Sequence, residues 1–364
     1  MRLSFTLSAY IGRQFLFWVS AAFFALLAMV FLLDFIELLR RASGRETATF
    51  MVILQMALFK LPQLAQKLVP FALLFGSMLA FLRLTKSHEL AVVRAAGISA
   101  WQFLMPALVI AGVIGALQIM AFSPLASILL ARYETLENEH FKGHGSLLAV
   151  SASGLWLRQG DGKQGAVIHA LRVAQGKMEL QDVTFYLFED QDRFLSRIDA
   201  AKASLQPGHW DLKDAWITLP GGRSTSVANH RLPTDLTLEK IQESFASPET
   251  MSFWELPGFI RVLEAAGFSG HRHRLYLHSQ MAIPALLCGM VLIAATFSMR
   301  QTRRGGAAYL IGAGILSGFL LYFMSDVIHA LGMSATIPVV MAAWTPAGIS
   351  LLVGISLILH LEDG

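Results

Sequence analysis

Apolar residues are gathered into six long runs along the chain. The runs lie at roughly 14–36, 62–83, 101–123, 277–299, 307–330 and 338–361. A helix of about 20 apolar residues crosses the hydrocarbon core of a bilayer. The first run has no small-residue cleavage site and ends in "DFIELLRR", so we interpret it as an uncleaved span. The pattern predicts three spans, a long insert and three further spans.

The insert of about 150 residues has a different pattern, with alternating apolar and polar positions and balanced charges. Its predicted strands are "GLWLRQ", "AVIHALRV", "MELQDVTFYLFED", "RFLSRIDAAKASLQ" and "HWDLKDAWITL", separated by turn signals. Such spacing is typical of an antiparallel sandwich or jelly roll. The following "SFWELPGFIRVLEAAG" predicts a helix with a Ser252–Glu255 capping box, a stop at Gly267 and a kink or start at Pro257.

The predicted fold class is therefore an α-helical integral membrane protein with six transmembrane helices and an inserted antiparallel β-jelly-roll or sandwich domain. We place an N-terminal membrane half at 1–131, the β-domain with its connecting helix at 132–270, and a C-terminal membrane half at 271–364. Composition supports this class, because 55% of the residues are hydrophobic and only 15% are charged. The single cysteine, Cys288, excludes an intramolecular disulfide.

Basic residues in the short loops indicate an orientation. Eight basic residues would face inside: Arg2, Arg13, Arg83, Lys86, Arg94, Arg300, Arg303 and Arg304. Five would face outside: Arg40, Arg41, Arg45, Lys60 and Lys67. This bias places both termini inside and the β-domain outside.

The polar stretch "LTKSHELAVVRAAGISAWQ" interrupts the apolar pattern between the second and third runs. It predicts a short helix within residues 85–97, capped by Thr85 or Ser87, with Glu89 in its first turn and Gly97 at its end. Ser99 and Gln102 then have the spacing of a capping box that begins the third span. Two interpretations stay open: a connector that rests on the membrane interface, or a coupling helix that inserts into a cytoplasmic partner.

Several chemistries lack their sequence signatures. The chain has no G-x-x-x-x-G-K-[ST] phosphate loop, so any ATP would be bound by another polypeptide. His271, His273 and His278 are close in sequence, but Arg272 and Arg274 lie between them, so we predict no metal site. We also predict no catalytic residues, no cofactor and no nucleic-acid partner.

Several motifs and their order resemble the lipopolysaccharide export permease family, LptF/LptG. They are "YIGRQF", "SHELAVVRAAGIS", "GLWLR" at the start of the β-domain and "YFMSDVIHALG" in the fifth span, the last two being more similar to the G-type chain. The resemblance implies a heterodimer with an F-type permease and two copies of a cytoplasmic ATPase that uses ATP and Mg. It further implies a lipopolysaccharide substrate, a periplasmic jelly-roll bridge protein as partner, and location in the bacterial inner membrane.

Candidate site residues follow from the resemblance and from charge. The ATPase-coupling candidates are His88, Glu89, Leu90, Arg94 and Gly97, and the substrate-path candidates are Arg40, Arg41, Lys67, Arg132 and Asp326. Each basic residue could instead be an ordinary interfacial side chain, and Asp326 with His329 could form only a structural hydrogen bond. The acids Asp34 and Glu37 precede Arg40 and Arg41, where the family resemblance leads us to expect basic residues.

Three functional classes are compatible with these patterns. The first is a transporter subunit without catalysis of its own. The second is a membrane-anchored envelope scaffold whose β-domain binds partners. The third is an integral-membrane lipid enzyme, which the lack of a convergent acid, base or metal set disfavours.

Overall fold

Each apolar run forms a helix in the computed structural model of the chain. The structure describes residues 5–43, 49–142, 148–151, 154–160, 164–174, 179–189, 193–234, 236–237, 247–265, 269–299 and 307–363. Within these ranges, six helices are long and apolar enough to cross a membrane: Phe5–Ala42, Phe50–Lys86, Ala100–Phe141, His271–Ser298, Gly312–Met333 and Val339–His360. The predicted arrangement of three spans on each side of an insert is confirmed.

The helices are numbered in chain order. Before the β-domain lie α1 Phe5–Ala42, α2 Phe50–Lys86, α3 Glu89–Ala95, α4 Ala100–Leu117 and α5 Ser123–Glu137. A π-helical segment, Gln118–Phe122, joins α4 to α5, and a second, Asn138–Lys142, follows α5. After the β-domain lie α6 Leu256–Ala265, α7 His271–Ser298, α8 Ala307–Met333 and α9 Val339–Asp363. Because successive spans alternate in direction, we call the end where α5 stops and α7 begins the insertion end, and the opposite end the α3 end.

The helices of the first half are longer than the membrane requires. α1 has 38 residues and α2 has 37, so each extends over about 55 Å, against about 30 Å of hydrocarbon. At the insertion end they pack with α5 around a separate apolar core of Leu38, Met56 and Tyr133. The predicted second span, 62–83, lies within α2, and the helix begins twelve residues earlier, at Phe50.

The membrane core brings both halves of the chain together. Side chains from α1, α2, α4 and α7 meet around Phe15, Phe81, Leu104 and Leu287. Gly76 lets α1 and α2 approach closely, since a Cβ there would lie 2.8 Å from the backbone nitrogen of Val19. Small residues at such contacts are typical of packed membrane helices.

The polar stretch after α2 forms the predicted helix, with corrected boundaries. α3 covers only Glu89–Ala95, because α2 continues through Lys86. The predicted caps are wrong: Thr85 lies inside α2, where its hydroxyl donates to the Phe81 and Ser298 carbonyl oxygens, and Ser87 is the C-cap of α2. His88 is the N-cap of α3 and takes a left-handed backbone conformation with φ 61°.

Two other local predictions in this stretch are confirmed. Gly97 has φ +79°, the left-handed conformation that ends a helix at glycine. Ser99 and Gln102 form the predicted capping box at the start of α4. The chain therefore runs from helix to glycine break to helix, as the residue types predict.

The β-domain contains an antiparallel sheet. Its strands are β1 Leu148–Ser151, β2 Gly154–Gly160, β3 Gln164–Ala174, β4 Glu179–Glu189, β5 Arg193–Gln206, β6 His209–Thr218 and β7 Ser224–Pro233. The five predicted strands correspond to β2–β6, whereas β1 and β7 were not predicted. Each strand pairs with the next in chain order, so the described pairings form a seven-stranded meander.

This sheet is rolled over its own apolar face. On that face Leu157, Phe185 and Trp210 share one buried cluster with residues of β7 and α6. Buried Gln159 of β2 accepts a hydrogen bond from Trp210 Nε1 of β6 at 3.3 Å, and it donates to the carbonyl of Pro233 at 3.4 Å. The first strands therefore face the last strands across the core, which gives the sandwich-like interior expected from the sequence with a simpler connectivity than a jelly roll.

The helix after the sheet begins later than predicted. α6 starts at Leu256, and the Phe259 amide donates to the Glu255 carbonyl, so the residue that directly precedes the first turn is Glu255 and not the predicted cap Ser252. Pro257 occupies the second helical position, where a missing N–H causes no kink. The predicted stop at Gly267 lies outside the described residues.

Two compact units result. One contains residues 1–141, 249–253 and 274–364, and the other contains residues 142–248 and 254–273. The candidate sites described below lie in the helical unit.

Candidate functional site

The short helix α3 is attached to the helical unit by one side and exposes the other. Leu90 is buried in the main membrane core beside Leu84 and Phe103. Val92 is 69% exposed, although it is apolar. His88, Arg94 and Gly97 are also exposed. Leu90 is therefore the anchor of the helix, and His88, Val92 and Arg94 are available to a partner.

Glu89 faces its own chain more than the surroundings. Its Oε1 accepts a hydrogen bond from the Ser87 hydroxyl at 2.9 Å, and the phenol of Tyr10 on α1 lies beside it. Both residues also line a cavity of about 270 Å³ next to Val92 and Val93. Glu89 thus positions α3 against α1, in addition to the partner contact that the sequence predicts for it.

Arg40 and Arg41 share one carboxylate at the insertion end of α1. Both Arg40 Nε and Arg40 Nη2 donate to Glu37 at 2.9 Å, and Arg41 Nε donates to the same carboxylate at 3.0 Å. Arg41 also lies 3.9 Å from Glu137 of α5. The side chains of all three residues of the Arg40–Arg41–Glu37 cluster are partly exposed. An incoming phosphate would therefore compete with the Glu37 carboxylate for the two guanidinium groups.

A second ion pair lies deeper in the same helix ends. Lys60 of α2 pairs with Asp34 of α1, and its ammonium group lies 5.5 Å from the centre of the Tyr133 ring on α5. The side chains are only 25% and 15% exposed. This Asp34–Lys60 pair fixes the three long helices together, and it explains why an acid is tolerated at a position where we expected a basic residue.

Lys67 and Asp326, which are distant in sequence, line one cavity. This polar chamber has a volume of about 410 Å³ and lies among α2, the π-helical segment Gln118–Phe122, α7, α8 and α9. Its polar lining residues are Gln63, Gln66, Lys67, Gln118, Glu249, Tyr276, Ser279, Gln280, Ser325, Asp326 and His329. Two of the predicted substrate-path residues are thus brought together.

Three glutamines in the chamber were missed by sequence reasoning. Gln118 and Gln280 are 6% and 5% exposed, and the Oε1 atom of each has no hydrogen-bond partner among the described residues. The buried Nε2 of Gln66 is likewise unpaired within those residues. Unsatisfied buried amide groups are costly, so the chamber is suited to a polar occupant.

Asp326 and His329 both line the chamber, but the described part of the chain shows no hydrogen bond between them. The predicted interaction at spacing i+3 is therefore not formed. Arg132 is exposed on α5. It does not line the polar chamber and does not take part in the Asp34–Lys60 pair.

An apolar cavity lies on the other side of α2. It has a volume of about 560 Å³ and is bounded by α1, α2 and the α4–α5 helix, with Phe23, Val69 and Phe122 among its walls. Gln118 borders this cavity as well as the polar chamber. The two cavities provide separate apolar and polar surroundings at membrane depth.

Comparison with known proteins agrees with this arrangement. The model of the family described as lipopolysaccharide export system permease LptF/LptG matches residues 9–360. The chain belongs to the LptF/LptG family. The resemblance predicted from the motifs is confirmed over nearly the whole chain.

Curated relatives of this LptF/LptG chain carry the G-type name. The lipopolysaccharide export system permease protein LptG of Escherichia coli (strain K12) is 24% identical over 370 residues, covering 97% of this chain and 98% of the relative. LptG of Haemophilus influenzae is 23% identical over 355 residues, covering 94% and 95%. The predicted greater likeness to the G-type chain is therefore also confirmed.

Proposed function

We propose that this LptF/LptG chain is the G-type permease subunit of an ATP-driven exporter that extracts lipopolysaccharide from the inner membrane. The match over residues 9–360 carries the proposal, and six spanning helices around an inserted β-domain support it. The substrate then passes to a periplasmic bridge that leads to the outer membrane. The sequence contains no G-x-x-x-x-G-K-[ST] phosphate loop, and a separate cytoplasmic ATPase is expected to supply the energy.

The short helix α3 is the attachment point for this ATPase. Its apolar tip at Val92 and its cation at Arg94 are exposed, while Leu90 holds it in the core. A small rigid helix anchored in this way transmits a push from the partner to α2 and α4, which it joins. Two copies of the ATPase serve two permeases, one under each.

The F-type permease is expected to cover apolar faces that this chain leaves open. Large side chains of α1 and α8 are exposed, among them Phe17, Phe24, Leu33, Leu316, Phe319 and Phe323. The bridge protein is expected to add a strand to β1 or β7, which are the edge strands of the described sheet.

The substrate path combines an apolar cavity at membrane depth with cations at the insertion end. The apolar cavity beside α1 suits acyl chains, and the Arg40–Arg41–Glu37 cluster suits phosphate once Glu37 is displaced. Lys67, Arg132 and Asp326 remain candidate contacts at the same end. Exchange of an internal carboxylate for a phosphate keeps the arginines paired in both states.

Reconstitution tests the proposed export. The tagged chain, purified from its native membrane with its copurifying subunits and placed in proteoliposomes, is expected to hydrolyse ATP and to release lipopolysaccharide to a soluble jelly-roll acceptor. A matched complex with an ATPase subunit inactivated in its own phosphate loop is the control, and it should release none. ATP-independent release, or a chain that copurifies with no ATPase, would instead support the envelope scaffold.

Labelling tests the proposed orientation, with α3 and both termini in the cytoplasm and the β-domain in the periplasm. In a Cys288→Ser background, Val92→Cys is expected to resist a membrane-impermeant maleimide in cells with a permeabilised outer membrane and to react in inverted vesicles. Ser224→Cys on exposed β7 should show the opposite pattern. Reaction of Val92→Cys from the periplasmic side would overturn the orientation and the coupling role together.

A further inference from the structure

The lining of the polar chamber contains charged groups and hydrogen-bonding groups that have no partner among the described residues. Lys67 on α2 and Asp326 on α8 both line it, and neither forms an ion pair within the described residues. Around them are two amide oxygens, of Gln118 and Gln280, and one amide nitrogen, of Gln66, that have no partner there. Such a set calls for a ligand with donors at one end and acceptors at the other.

The level of the chamber points to a lipid headgroup. Gln280 lies nine residues from the start of α7 and Asp326 lies seven residues before the end of α8, so both are about 10–14 Å from the insertion end. This depth is near the boundary between headgroups and hydrocarbon. Apolar walls such as Phe71, Leu286 and Leu321 continue the chamber, which suits the start of acyl chains.

We propose that the polar chamber binds a zwitterionic phospholipid through its ethanolamine phosphate headgroup. The ammonium group has three N–H donors, which match the carboxylate of Asp326 and the free oxygens of Gln118 and Gln280. The phosphate matches the ammonium of Lys67 and the unpaired amide nitrogen of Gln66. Both charges of the ligand are thereby neutralised inside the membrane.

The charge balance disfavours the other ligands of similar size. The wall carries both an acid, Asp326, and a base, Lys67, so a zwitterion finds a partner for each of its charges, whereas phosphatidylglycerol offers no ammonium group to Asp326. Choline lipids have no N–H group to donate to the glutamine oxygens. Lys67 in the wall opposes a bare metal cation. The inference needs only the chain in a membrane, so it is independent of the proposed export.

Lipid retention measured by native mass spectrometry tests the proposal. The full-length chain is delipidated in detergent and mixed with equal amounts of phosphatidylethanolamine, phosphatidylcholine and phosphatidylglycerol with the same acyl chains. Phosphatidylethanolamine is expected to be retained about tenfold over phosphatidylcholine, the ratio that one lost charge-assisted hydrogen bond produces. Asp326→Asn and Lys67→Gln should each remove most of this preference.

Lys86→Gln provides the matched control, because it removes one exposed positive charge from α2, the helix that carries Lys67, but outside the chamber. It should keep the wild-type preference. A second variant, Gln280→Met, keeps the side-chain volume and should reduce the preference without loss of folding. Equal retention of the ethanolamine and choline lipids by the wild type would overturn the proposal, as would an unchanged preference in Asp326→Asn.

Discussion

Val92→Asp is expected to detach the ATPase from the chain and to stop export, while the chain still folds. Val92 is the most exposed apolar side chain on α3, and Leu90, which anchors the helix, is not altered. An aspartate in a hydrophobic groove of the partner would be buried without a counter-charge, which costs several kcal/mol. Copurified ATPase should therefore fall by at least about tenfold, because roughly 1.4 kcal/mol already gives that factor.

Two controls separate docking from folding. Val92→Ile keeps an apolar tip and should retain the ATPase, whereas Lys213→Asp introduces the same acid on the β-domain and should have no effect. Thermal unfolding of all three variants in detergent should match that of the wild type, since Val92 makes little contact with the core. Full ATPase attachment in Val92→Asp would exclude α3 as the principal contact.

Loss of one partner of the Asp34–Lys60 pair is expected to destabilise the insertion end strongly. Asp34→Ala leaves the Lys60 ammonium, only 25% exposed, beside the Tyr133 ring without its counter-charge. Breaking such a pair costs about 3 kcal/mol when it is well buried, and somewhat less here because both side chains retain some exposure. The unfolding temperature measured in detergent should fall by roughly 2–4 °C.

A charge swap provides the decisive comparison. The double variant Asp34→Lys with Lys60→Asp restores the opposite charges and should recover most of the lost stability. Glu37→Gln, on the same helix end but in an exposed cluster, should leave the unfolding temperature nearly unchanged. If the swap is as unstable as Asp34→Ala, the pair contributes through packing and not through charge.

Most of the fold could be predicted from local patterns. Long apolar runs specify spanning helices whatever their neighbours, and alternation specified β2–β6. β1 has only four residues, and β7 is largely exposed with polar residues such as Ser226, Asn229 and His230, so neither gives an alternation signal. The ends of the first helices could not be predicted, because the apolar run stops at the membrane boundary while α1, α2 and α5 continue by packing on one another.

The candidate site was only partly predictable, because its contacts join distant residues. The pairing of Glu37 with Arg40 and Arg41 follows from helical spacing. Helical spacing does not predict that Lys60 pairs with Asp34, or that Gln66, Gln118 and Gln280 line one chamber. A single polar residue in an apolar run has no partner nearby in the sequence. Thr85 was wrongly predicted as a cap because its hydroxyl found carbonyl oxygens of α2 and α7 instead.

The π-helical segment Gln118–Phe122 divides the long third span into α4 and α5. It rotates the side chains of α5 about the helix axis relative to those of α4. A π turn accommodates one residue more than an α turn. The 3.6-residue periodicity that assigns residues to one face of α4 therefore does not continue unchanged into α5. Counting in steps of 3.6 from Ala100 would turn Tyr133 away from Lys60 by about 100°. One surplus residue in this span thus sets which side of its outer half meets the neighbouring helices.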